Sequence, residues 1–271
     1  MKEKISFFYP EGYDRWAQYG LSEPEIVFQD DETRYKAIVR NDELVAILGR
    51  GYKLFPNEEA LKIADESAKL AGLVPFDPFK VPGIRSEDHV LYSDNGHKIR
   101  AIYTAGKVEK VDGDEVNVGV NVFNAIDGTS SFGCGLFTFR GICSNGVIFG
   151  YEKVMSLRRI HTKGLETAIE DLKNRMVVVM EYGHTLIERY RAMARKNATN
   201  KMVDQILRTR IPAKVLPDYI TEEEATLPDI SAWGLYNDVT EAIWHNEKAG
   251  MRTKMLQFGW LERAVNRWEL A

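Results

Sequence analysis

Residues that staple, break or metallate a chain are scarce here: two cysteines, nine prolines and five histidines in 271 residues. A disulfide framework needs more than Cys134 and Cys143, so reduced thiols in a cytoplasmic protein are expected. No apolar run approaches the roughly 20 residues of a membrane helix, and no membrane partner is expected. The opening MKEKISFFYPEGYDRW has neither the apolar stretch nor the small-residue cleavage site of a secretory signal. His89, His97, His161, His184 and His245 are scattered without HxxxH spacing and the cysteines form no CxxC, so no metal is expected. A GxxxxGK[ST] loop and a strand-borne GxGxxG are both missing, which argues against a nucleotide motor or a dinucleotide enzyme. No cofactor is expected.

What is present is an ordinary globular composition, 44% hydrophobic and 28% charged, long enough for one large domain or a domain with an appendage. The net charge of −4 conceals an asymmetry. From Tyr151 to Lys214 fourteen Lys and Arg face seven acids, leaving +7 there and −11 elsewhere. A segregated basic region in an acidic chain attracts polyanions, although the same count describes a solvated helix face.

The patterning reads as strands followed by helices. The first 22 residues, with Trp16 and five other aromatics, suggest an ordered irregular arm. Glu25–Gln29, Arg34–Arg40 and Leu44–Arg50 are β-rich runs separated by acidic turns, an antiparallel meander. Pro56-Asn57-Glu58-Glu59 opens a helix with Asn57 as its N-cap and acids in the first turn, and Gly72 ends it. Val74–Gly83, with three prolines, is a connector, and Asp94-Asn95-Gly96 marks a hairpin between His89–Tyr92 and Lys98–Tyr103. Val116, Val118, Val120 and Val122 alternate with small or polar residues, predicting a strand with one apolar face. Beyond Asp127-Gly128 a partner strand spans Ser130–Phe139, where Gly133 and Gly135 bare one face. Gly164–Arg195 is a long amphipathic helix, and a shorter one carries Met202 to Leu207. After an acidic Pro217–Pro228 linker, Ser231 caps a further helix, and Gly250 precedes the last. The expected fold class is α+β, a meander and hairpins packed with a long helix, with a core domain at 1–200 and a helical region at 201–271.

Candidate chemistry gathers after the second hairpin. Arg140 can fork onto a phosphate or tie a strand end to a carboxylate. Cys143 beside His161 has the elements of a thiolate pair but no third orienting group, and a structural cysteine beside a turn accounts for it, so no enzyme is expected. Asn145-Gly146 makes a turn. Lys153, Arg158, Arg159, His161 and Lys163 run into the start of the long helix, whose free N–H groups favour anions. Tyr103, Phe137 and Tyr151 offer stacking platforms or else pack in the core.

Tyr35-Lys36 with Arg40, Tyr52 with Pro56-Asn57-Glu58-Glu59, Asn121, Asp127-Gly128, the Arg140/Cys143/Asn145 group and His161 occur in an order that resembles the phage/plasmid-like protein family of unknown function (domain of unknown function 932). The Trp233–Val239–Thr240 segment also resembles the tail of many members, whereas Gly146 stands where a threonine is frequent. In element order alone the chain is similar to single-strand annealing proteins of the RecT and Red-beta type. That likeness implies a homo-oligomer, a ring or filament, that holds single-stranded nucleic acid, DNA before RNA, in a basic groove without ATP. Arg140, Lys153, Arg158, Arg159, His161 and Lys163 are then the expected phosphate contacts. The competing expectation is a structural or regulatory protein of a mobile element that grips a partner through Trp233, Trp244, Trp260 and Trp268.

Overall fold

The computed structural model describes residues 5–28, 34–76, 85–87, 89–140, 147–149, 157–162, 164–222 and 226–270. In chain order the strands are β1 (Ile5–Phe8), β2 (Leu21–Ser22), β3 (Glu25–Phe28), β4 (Arg34–Arg40) and β5 (Glu43–Gly49), followed by α1 (Asn57–Leu70). Next come β6 (Val74–Pro75), β7 (Arg85–Glu87), β8 (Val90–Tyr92), β9 (Lys98–Thr104), β10 (Glu109–Val111), β11 (Asp114–Ala125), β12 (Phe132–Arg140), β13 (Val147–Phe149) and β14 (Leu157–Arg159). The remainder is helical: α2 (Leu165–Arg195), α3 (Asn200–Leu207), α4 (Asp218–Thr221), α5 (Ala232–His245) and α6 (Met251–Val265). Antiparallel sheets followed by helices make the fold α+β. No helix among the described residues is long and apolar enough to cross a membrane.

The chain forms two compact units that interleave in sequence. One comprises Met1–Tyr103, Asn121–Cys134 and Leu157–Val177, the other Thr104–Val120, Gly135–Ser156 and Val178–Ala271. The boundary expected near residue 200 falls inside the second unit.

In the first unit the meander forms as expected: β3, β4 and β5 pair antiparallel, with a register shift between Ile38 and Val39. The aromatic arm contributes β1 to β3 and β2 to β4, so it is an integral part of the sheet. Leu21, Ile38, Tyr52, Leu54 and Ile126 make a buried cluster, with Trp16, Tyr19, Val45, Ala46 and Leu48 packed against it. Helix α1 buries Ala60, Ala64, Ser67 and Ala68, a small-residue stripe spaced by four, three and one. Glu58 and Glu59 lie in its first turn, where the helix dipole favours carboxylates. Its N-cap is Pro56, and Asn57 is the first helical residue. The Asn57 amide is committed to other partners: it donates to Gly96 O at 3.1 Å and accepts from Asn124 Nδ2 at 2.9 Å. The Asp94–Gly96 hairpin joins β8 and β9 in antiparallel register.

Strand β11 departs from the expected two-faced pattern, because every residue from Val118 to Ala125 is buried. Within the first unit its Asn124 is consumed by Asn57 and by Phe55 O, both at 2.9 Å. Within the second unit Val118 packs under Gly183 of α2, where a Cβ would come within 2.4 Å of Val118 Cγ1. Glycine is what allows helix and strand to approach there. The second unit also ties α5 to Asp114, whose Oδ2 accepts from Trp233 Nε1 at 2.8 Å and Asn237 Nδ2 at 3.2 Å. Tyr190, Trp233 and Tyr236 stack beside it. Ser231 caps α5 as expected, its hydroxyl accepting from Gly234 N–H at 3.0 Å. The acidic linker is not wholly irregular, since α4 forms one turn within it.

Candidate nucleic-acid interface

A cleft of about 730 Å³ opens in the first unit. One wall is Leu48, Gly49, Gly51 and Tyr52, another is Gly128 to Ser131, and the third is Ile160 to Thr162. Each wall follows from local structure. Strand β5 ends at Gly49 and delivers Tyr52 into the apolar cluster, where its hydroxyl donates to Ala125 O and Ile126 O, both at 3.2 Å. The Asp127-Gly128 turn is held by Asp127, which accepts from Thr129 N–H at 3.0 Å. Gly128 has φ +71°, and a Cβ there would lie 2.7 Å from Leu48 Cδ2, so the turn favours glycine. The third wall continues from β14.

Tyr52 and His161 stack with ring centroids 5.0 Å apart and planes 7° apart. Backbone Lys53 N–H donates to His161 O at 2.8 Å, and His161 Nδ1 lies 3.2 Å from Lys53 O. A carbonyl only accepts, so Nδ1 carries the proton and the neutral ring presents Nε2 as an acceptor. Nε2 is buried and has no hydrogen-bond partner among the described residues. Burial lowers the His161 pKa to about 4, against the opposing pulls of the Lys53 carbonyl and the Asp127 charge. Burial likewise raises the Tyr52 hydroxyl well above its ordinary value, helped by Asp127 and Glu23.

The expected phosphate contacts fare differently. Strand β14 pairs with β12 so that Arg158 stands opposite Gly133 and Arg159 opposite Phe132. The backbone of the basic dipeptide therefore leads directly into the cleft wall at Ile160. Arg140 ends β12, opposite Val147 of β13 in the second unit. Only the backbone of these three arginines is described; Lys153 and Lys163, with Cys143, Asn145 and Tyr151, lie outside the described residues. His161 does not suit a phosphate contact: it is 1% exposed and its neutral ring offers a lone pair, which an anion repels. The start of α2 carries its own carboxylate, Glu166, which pairs with Lys53 at 2.6 Å. Tyr103 is fully buried and its hydroxyl donates to Asp65 at 2.7 Å, so it offers no stacking face. Of the four expected partner anchors, Trp233, Trp244 and Trp268 are buried in the second unit and Trp260 is half-buried.

Sequence reading missed the hydroxyls of Thr129, Ser130, Ser131 and Thr162, which line the cleft. The Thr-Ser-Ser run after the Asp127-Gly128 turn was the available signal. A second cleft of about 880 Å³ in the same unit is lined by five acids (Glu43, Glu58, Asp65, Glu66 and Asp94) against Arg40 and Lys62. That field repels a polyanion, whereas among the described residues lining the first cleft there is no acid, Asp127 standing next to its wall. Among the described residues no group of three or more His, Cys, Asp or Glu is placed to hold a metal ion.

The model of a family described as a domain of unknown function (DUF932) matches residues 45–267. No curated protein and no solved structure matches the chain.

Proposed function

The chain belongs to the DUF932 family, and from that premise we propose that it is a cytoplasmic, non-enzymatic protein of a mobile element that binds single-stranded nucleic acid. DNA is the preferred strand, a homo-oligomeric ring or filament the working form, and annealing or accessory work in recombination or replication the role. The observation that carries the reading is the course of β14. The backbone of its Arg158-Arg159 pair is held against Phe132 and Gly133 of β12 and runs without interruption into the wall of a cleft whose described lining residues include no acid. Gly133 provides no side chain across from Arg158. Lys153 and Lys163 supply further cations of the same +7 segment, and Arg140 precedes it in the chain. Cations that track a backbone beside a cleft able to admit bases are the two parts of sequence-tolerant single-strand binding.

Anisotropy of a labelled single-stranded oligonucleotide, titrated with the full chain at two salt concentrations with duplex as competitor, tests the reading. Tight binding that weakens with salt and resists duplex competition is expected. No binding at low salt overturns it.

A further inference from the structure

We propose that the cleft beside the Tyr52–His161 stack receives a nucleobase of the bound strand, whose N–H donates to His161 Nε2. The inference rests on the nucleic-acid reading above and assigns His161 to base contact in place of phosphate contact.

Three observations carry it. First, His161 is 1% exposed and one of its ring nitrogens is satisfied by Lys53 O, while Nε2 has no partner among the described residues. A buried acceptor without a donor is costly enough that a partner belongs there. Second, the partner must be a donor. The Nδ1–H tautomer makes Nε2 a lone pair; phosphate or carboxylate brings another lone pair, and no companion ligands for a metal are grouped among the described residues. Amino groups of adenine, cytosine and guanine and imino groups of guanine and thymine are donors of the required kind. Third, the walls suit a flat group with a polar edge. Leu48 and Ile160 are apolar; the Thr129 and Ser130 hydroxyls, which donate to Asp127 and to Ser131 O, keep lone pairs to accept with, and the Thr162 hydroxyl can donate or accept. Nε2 is sheltered from solvent, yet its flanking residues are not core. Ile160 is 74% exposed and Thr162 is exposed, so the chain on both sides of His161 lies at the surface.

The test uses the full chain and two oligonucleotides of equal length and charge, one with all bases and one whose central nucleotides are abasic. Wild type should prefer the base-bearing strand by roughly tenfold, the scale of one hydrogen bond plus stacking. The imidazole Nε2 ¹⁵N resonance of His161 should move upfield when that strand is added and stay in place with the abasic one. His161→Phe keeps an aromatic ring beside Tyr52 and should lose most of the preference while retaining the salt dependence. Equal, salt-sensitive binding of both strands by wild type, or an unmoved Nε2 resonance with the base-bearing strand bound, overturns this inference and leaves the proposed function standing. Failure of either strand to bind at low salt overturns both. The wild-type comparison and the resonance decide the matter even if His161→Phe does not fold.

Discussion

His161 and Lys53, 108 residues apart, exchange two hydrogen bonds: Lys53 N–H to His161 O at 2.8 Å and His161 Nδ1–H to Lys53 O at 3.2 Å. This reciprocal pair fastens the end of the basic strand to the segment that follows the meander. Burial keeps the imidazole neutral against the pull of that Lys53 carbonyl, which makes the site sensitive to acid. The folded pKa of about 4 lies below the ordinary 6.5, so the unfolded chain takes up a proton that the folded chain refuses. The stability associated with a neutral His161 is complete above pH 6.5 and is lost as pH falls toward 4, a change of about 3 kcal/mol from 1.36 kcal/mol per pH unit. Urea unfolding of wild type and His161→Gln across this range should show their stability difference shrinking by that amount. A constant difference contradicts the neutral ring.

Gly128→Ala should destabilise the chain by about 1–3 kcal/mol, since alanine at φ +71° is strained and its methyl meets Leu48. Leu48→Ala in the same chain removes the contact and not the strain. The double variant, measured by denaturant unfolding, should therefore be less unstable than the sum of the single changes. Strict additivity would place the whole cost in the backbone.

Asp114 accepts from two side chains of α5, Trp233 and Asn237, through one oxygen. Asp114→Ala leaves the Trp233 indole N–H buried without its acceptor, at a cost of about 1–3 kcal/mol. Trp233→Phe removes the orphaned donor, so Asp114→Ala should cost distinctly less in that background. The measurement is a double-mutant cycle by chemical denaturation, and equal costs in the two backgrounds would contradict the bond.

Much of the fold is legible in local pattern. The meander, the Asp94–Gly96 hairpin, the Ser231 cap and the extent of α2 are each written in a few neighbouring residues. What eluded the sequence depends on distant partners. Asn57 has the form of a cap, but Asn124 and Gly96 claim its amide. Alternation along β11 reveals one apolar face and cannot tell that the other is covered too. The cleft is assembled from segments around residues 50, 130 and 161, and no motif joins them. Of the expected phosphate contacts, the Arg158-Arg159 dipeptide does lead to that cleft. His161 reads as a surface cation only until burial sets its charge.

The central claim is that the Arg158-Arg159 strand carries phosphate contacts, and its most direct test is the salt dependence of single-strand binding in wild type and in the Arg158→Ala/Arg159→Ala variant. Each phosphate neutralised on a single strand contributes about 0.7 to the slope of log affinity against log salt. The account predicts weaker binding at low salt and a slope shallower by about 1.4 in the variant. An unchanged affinity and slope would contradict it.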